Sequence, residues 1–201
     1  GAVAGGQAYE VMSGTSMAAP QVAGMAALVA QYIRENGLKE KTGVSVRHLA
    51  QSLLMSTAEP VYDASAESWY SILKQGAGLA NVSNAIHAES YVLVNGQPDG
   101  KVKVELGDDP DRTGEYTFDF TINNLSDKAL AYVLHAGINT MAVEEIEGEN
   151  YMSDTARVLS PKVTFDVEGG TSYLYDLNGD GTINENDALV LLQVANGTHD
   201  A

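Results

Sequence analysis

The sequence predicts an α/β chain in three blocks, and three observations carry that expectation. Residues 16–36 form an almost unbroken apolar run with the length of a helix. Residues 116–122 alternate apolar and polar side chains with a period of two. Near the C-terminus, a loop of Asp, Asn and Gly leads into a short apolar segment. A period near 3.6 marks helices and a period of two marks half-buried strands.

In the first block, Ser16 to Asn36 reads as a nearly all-apolar helix, and such a helix is buried on most sides. Gly37 stops it. Pro20 is tolerated in a first turn, where its missing N–H has no partner to lose, so the helix is expected to begin at or just after Ser16. That start sets the Ser16 hydroxyl at the positive end of the helix dipole. A second helix is expected from Ser45 to Thr57, with Leu49, Leu53 and Leu54 on its inner face. "QGAGLANVSNAIHA" (75–88) reads as a glycine-rich turn entering a short helix, and the block closes near Ser90.

From Tyr91 to about Gly170 strands are expected. In "GEYTFDFTINN", Tyr116, Phe118, Phe120 and Ile122 share one face; "NNLSDK" is a turn; "ALAYVLHAGI" and "PKVTFDV" are further strands. Spaced short strands predict a small β-sandwich. The expected blocks are thus 1–90, 91–170 and 171–201.

Composition narrows the function. The 201 residues are 44% hydrophobic and 19% charged, which suits a folded chain, and the net charge of −16 disfavours nucleic acid or an anionic membrane as partner. Hard cations suit such a chain better. The absence of cysteine removes disulfides, thiolate zinc sites and cysteine nucleophiles. No run approaches the roughly 20 apolar residues of a membrane span. No signal peptide and no initiator Met open the chain, which reads as a piece of something longer.

A serine ahead of a helix is ordinarily a cap, and this one is not the G-x-S-x-G elbow, since Ala18 stands at the fifth position. The longer string, Gly14-Thr15-Ser16-Met17-Ala18-Ala19-Pro20 followed by Val22-Ala23-Gly24, closely resembles the nucleophile motif of the subtilisin-like serine proteases. Gly14 permits close approach of backbone and substrate, and a helix N-terminus offers N–H groups where an oxyanion forms. Gln21 stands where many family members have His, outside the family's triad. "LLMSTAEPV" (53–61) and "QGAGLANVSNAI" (75–86) resemble the closing segments of that catalytic domain. The stretch with "TINNLSDKALAYVLHA" resembles the first fibronectin-like module of the large cell-envelope subtilases, the lactocepin and C5a-peptidase type.

The resemblance implies the C-terminal portion of a subtilisin-like parallel-sheet domain, with Ser16 as nucleophile and Gly14 and Thr15 at the substrate. It also implies a secreted or wall-associated endopeptidase acting on polypeptides. In this family the triad runs Asp, His, Ser along the chain, so Asp, His and the oxyanion Asn are expected upstream of this sequence. His48, His87, His135 and His199 match none of those positions. A serine without base and orienter is a weak nucleophile, and this chain alone is expected to be inert. The rival reading is a non-catalytic, calcium-dependent interaction module derived from a subtilase.

In the last block, Asp176, Asn178, Asp180, Gly181, Thr182, Ile183, Asn184 and Asp187 fall at positions 1, 3, 5, 6, 7, 8, 9 and 12 of a calcium loop. Oxygen side chains at 1, 3 and 5 converge on the ion, Gly at 6 makes the turn, and the carbonyl at 7 adds a ligand. Asp187 in place of the usual Glu resembles a dockerin repeat, whose loop is followed by one helix, here expected over Asp187 to Val194. The expected ligands are Asp176, Asn178, Asp180, Thr182, Asn184 and Asp187. A tandem pair would imply a cohesin-like partner, but one copy is visible, which favours a structural calcium site. Trp69 and Tyr70 receive no role, and "VEEIEGEN" (143–150) reads as a solvated acidic loop.

Overall fold

The computed structural model describes residues 11–64, 67–97, 100–135, 138–159, 171–174 and 189–194. Helix α1 spans Thr15–Glu35, and its end is built by Asn36 and by Gly37, whose φ of 61° only glycine adopts freely. The Asn36 side chain donates to the Tyr32 carbonyl at 2.9 Å, which covers one of the carbonyls orphaned at the helix end. A short helix not foreseen from the pattern, α2 (Leu38–Thr42), follows and stops at Gly43, again left-handed. Helix α3 (Val46–Ser56) starts at Ser45, whose Oγ accepts from the His48 N–H at 3.3 Å. Leu49, Leu53 and Leu54 are buried, as their spacing predicts.

The core gathers Val29 and Ile33 of α1 against Leu49 and Leu53 of α3, with Ala85 and Tyr91 closing it. Burial on most sides of α1 is not observed. Val29 and Ile33 are its only buried residues, while Val22 and Leu28 are exposed, as is the whole first turn except the half-buried Met17. Burial needs a second surface as well as an apolar run, and the described residues supply one only along the C-terminal half of α1.

Between α3 and the next helices the chain makes a compact excursion. Glu59 and Leu79 exchange two backbone hydrogen bonds, 3.0 and 2.8 Å long. Inside that closure, β1 (Tyr62–Asp63) pairs with β2 (Ser68–Trp69), and Tyr62 meets Trp69 edge to face at 5.1 Å. Helix α4 (Ile72–Gln75) carries the tie: Gln75 Oε1 accepts from Val61 N–H at 2.6 Å and its Nε2 donates to the Tyr70 carbonyl at 2.5 Å. Helix α5 (Val82–Ile86) opens at Asn81, whose side chain accepts from the Ser83 and Asn84 amides.

Strand β3 (Ser90–Val94) pairs antiparallel with β4 (Phe120–Asn124). The expected strand through Tyr116 and Phe118 is not formed, and both residues are exposed. A strand extends only as far as its partner, and β3 runs out at Val94 into the turn at Asn95 and Gly96. The "NNLSDK" turn is present: Asn124 Oδ1 accepts from the Ser126 N–H at 2.8 Å and Asn124 Nδ2 donates to the Lys128 carbonyl at 2.6 Å.

Beyond it lie β5 (Leu130–His135), β6 (Ile138–Ile146), β7 (Glu149–Leu159), β8 (Thr171–Leu174) and β9 (Leu189–Val194). They form a β6–β7 hairpin and a three-stranded sheet in the order β5–β9–β8. The 143–150 segment is therefore two strand ends joined by a tight turn, with Glu147 and Gly148 both at positive φ, and its side chains are exposed. "PKVTFDV" lies outside the described residues.

Two expectations are corrected. Leu189–Val194 is a strand, not the helix of a dockerin-type loop and helix. A six-residue stretch with five apolar side chains, two of them valines, serves either state, and here the pairing of its backbone with β5 and β8 decides. Every strand pair among the described residues is antiparallel. A parallel pair needs a strand, a crossover and a second strand, and α1 is followed by helices. The parallel sheet implied by the resemblance is thus not formed among the described residues.

One carboxylate organises the strand-free stretch between β3 and β4. Asp109 accepts from the Gly114 N–H at 2.6 Å and from the Thr113 N–H at 3.0 Å. These two bonds hold its carboxyl below the usual Asp range. A depressed carboxyl stabilises the folded state above its unfolded pKa, and that contribution is lost as pH falls through the folded value. Acidification below the ordinary Asp value of about 3.9 should therefore release this loop. The protection of the Gly114 amide against exchange, relative to its intrinsic rate at each pH, should fall there, and Asp109→Asn should show the lower protection already at neutral pH.

Candidate active site

The side chain singled out by the sequence sits where helix geometry makes backbone amides available. Helices α3, α4 and α5 each begin with a polar side chain that accepts from first-turn N–H groups. Helix α1 begins at Gly14, with no side-chain cap and no acidic residue in its first turn. The Gly14 carbonyl accepts from Met17 N–H at 3.0 Å and Ala18 N–H at 3.1 Å. The amides of Thr15 and Ser16 lie ahead of the first intrahelical bond and face outward with the positive end of the dipole. Gly14 has φ 152°, ψ 165°, a conformation that side chains rarely adopt, so the turn that presents Ser16 depends on glycine there.

Ser16 is the second residue of α1 and is exposed, as are Gly14 and Thr15. The three residues expected at a reacting peptide are thus contiguous on one open helix end. Pro20 was expected in the first turn, but it is the sixth residue of the helix. The N–H that would bond the Ser16 carbonyl belongs to position 20, and proline has none. The Ser16 carbonyl is therefore released from the helical ladder. The GTSMAAP string contains this signal: a proline four places after a helical residue frees that residue's carbonyl.

No base reaches the serine among the described residues. His48 is in α3, with its backbone and Cβ packed beside Gly100. His87 ends α5, its Nδ1 2.8 Å from the Ser83 carbonyl. Neither shares a hydrogen bond with Ser16. His135 is in β5, and His199 lies outside the described residues. Asp176, Asn178, Asp180, Thr182, Asn184 and Asp187 also lie outside them. Among the described residues no cluster of three metal-ligating side chains occurs, and no helix is long and apolar enough to cross a membrane.

Residues 1–96 match the model of the subtilase family. The chain is similar to C5a peptidase of Streptococcus pyogenes, 31% identical over 160 residues, which is 79% of this chain and 12% of that protein. It is also similar to the PII-type and PI-type proteinases of Lactococcus lactis subsp. cremoris, each 33% identical over 147 residues, covering 67% of this chain and 7% of theirs. The chain therefore spans a small part of the relatives it matches. The similarity to the subtilase family thus covers residues 1–96, and homology to these peptidases extends over most of the chain.

Proposed function

We propose that the chain is the nucleophile-bearing part of a secreted or wall-associated serine endopeptidase. The observation that carries this is the GTSMAAP string at the open, uncapped start of α1. Ser16 Oγ attacks a peptide carbonyl, its proton passing to a histidine supplied by sequence outside this chain. The Ser16 N–H and an Asn, also from outside, hold the oxyanion. The C–N bond then breaks as the histidine returns the proton to the leaving amine, and water releases the acyl group. Gly14 and Thr15 line the substrate's approach. Alone, the chain is inert, because a serine hydroxyl without a base is a poor nucleophile. The test is hydrolysis of an unfolded polypeptide by a longer polypeptide that joins this chain to the missing triad members, and its loss on Ser16→Ala.

The acidic loop is proposed as a structural calcium site. Its six donors are all oxygen, the set a hard cation takes. With β9 a strand, the support for a docking helix and a cohesin-like partner falls away, while a lone stabilising ion remains compatible with the donors. Bound calcium would neutralise the converging carboxylates. Calorimetric titration of the chain with calcium chloride should show one site, lost on Asp180→Ala. Calcium at a hundredfold excess over its dissociation constant should add about 2.7 kcal/mol of stability, removed by a chelator. Absence of binding heat in the unsubstituted chain would rule the site out.

A further inference from the structure

We propose that Asn95 is a site of self-modification in this chain. The fold leaves the Asn95-Gly96 pair open to loss of ammonia through a cyclic imide, and it protects the like pair Asn36-Gly37. Asparagine is chemically labile ahead of glycine, because no Cβ shields the glycine amide nitrogen from the side-chain carbonyl carbon. The same pair recurs at 178–179 and 196–197, outside the described residues.

Asn95 and Gly96 are the exposed central residues of the turn that follows β3, which the Gln97 N–H closes by donating to the Val94 carbonyl at 3.2 Å. Gly96 has φ 77°. Its N–H and the Asn95 carbonyl make no hydrogen bond among the described residues. The peptide plane between the two residues can therefore rotate without breaking a bond, since glycine accepts either sign of φ. The Asn95 side chain is held loosely: its Oδ1 accepts from the Thr121 hydroxyl at 3.4 Å, and its Nδ2 has no partner among the described residues.

Asn36-Gly37 supplies the contrast within the same molecule. Asn36 Nδ2 donates to the Tyr32 carbonyl at 2.9 Å, and the Gly37 N–H donates to the Arg34 carbonyl at 3.3 Å. Both groups that must react are engaged at the end of α1. Two neutral bonds of ordinary net strength suppress the reactive arrangement about thirtyfold.

At Asn95, hydroxide removes the Gly96 amide proton and the nitrogen attacks Cγ. The Cγ–Nδ2 bond breaks, ammonia leaves with a proton from water, and a ring joins the two residues. Water then opens the ring at either carbonyl. One opening leaves an aspartyl residue; the other routes the main chain through the side-chain carboxyl and adds a carbon to the turn. Either product sets a new carboxylate opposite Asp119, whose carbonyl accepts from the Asn95 N–H at 3.0 Å just past the Val94–Phe120 pair. Like charges facing each other across strands destabilise the pairing, so the change loosens this end of the β3–β4 ladder.

The test incubates this chain at mildly alkaline pH, once folded as judged by circular dichroism and once in urea. Conversion of amide to carboxylate at Asn36 and Asn95 is followed by mass spectrometry of proteolytic peptides, with the position fixed by fragmentation. In urea the two sites should convert at similar rates. In the folded chain Asn95 should stay within about threefold of its urea rate, while Asn36 converts about thirtyfold more slowly. Asn95→Gln, which would have to close a larger ring, should lose the conversion at that position. A folded chain in which Asn95 converts as slowly as Asn36 would overturn the proposal, as would equal conversion of both at their urea rates.

Discussion

Replacing Gly78 by alanine should destabilise the folded chain by about 3–5 kcal/mol, the largest stability effect of any single glycine substitution here. A Cβ built at Gly78 lies 2.3 Å from the Glu59 carbonyl oxygen, 2.5 Å from its carbonyl carbon and 2.7 Å from Pro60 N. All three are backbone atoms, so no rotamer change relieves the clash, and the φ of 118° is one that side chains rarely adopt. The two Glu59–Leu79 bonds that close the excursion must give way, together with the packing they hold. Gly24 provides the control: it lies inside α1, and nothing stands within 4 Å of its Cβ position. Gly24→Ala should stabilise by about 0.5–1 kcal/mol through helix propensity. Urea unfolding of both variants checks the pair. A Gly78→Ala loss below about 1 kcal/mol would mean the Glu59–Leu79 closure is not formed in solution.

Ser16→Ala has the largest expected effect on activity. In subtilisin, removing the nucleophile costs about 2 × 10⁶ in kcat, and a loss of that order is expected in the longer polypeptide. Stability should hardly move. Ser16 is exposed and its side chain makes no hydrogen bond among the described residues. Alanine also suits a helix slightly better than serine. A change within about 0.5 kcal/mol is expected, as for exposed positions generally. Activity and fold thus separate at this residue, and hydrolysis persisting in the variant would show that another group is the nucleophile.

What the sequence revealed follows the range of the interactions involved. Helix α3 was legible because Ser45 caps it and Leu49, Leu53 and Leu54 recur on one face, both signals confined to one short segment. The start of α1 was legible to within a residue. The place of Pro20 in its second turn was not, because the tolerance of proline in a first turn is only a preference. The cover on α1 was invisible too: an apolar helix shows that burial is wanted but not which surface provides it. Leu189–Val194 was misread as helix for a similar reason. Its strand state depends on pairing with β5, whose partner residues lie some 60 positions away in the chain. The hydrogen bond from Ser52 to the Val92 carbonyl spans 40 residues and leaves no periodic trace at all. The helix start at Gly14, Thr15 and Ser16 was legible because it and its glycine are written within one heptapeptide.

The central claim is that Ser16 is a nucleophile served by a base from outside this chain. Fluorophosphonate labelling tests it most directly, applied in parallel to this chain and to the longer polypeptide, with the adduct located by mass spectrometry. The account predicts an adduct at Ser16 in the longer polypeptide and none in the chain alone. An adduct on the chain alone would reveal a base within it, and an unlabelled but folded longer polypeptide would contradict the peptidase reading in favour of a non-catalytic, calcium-dependent interaction module.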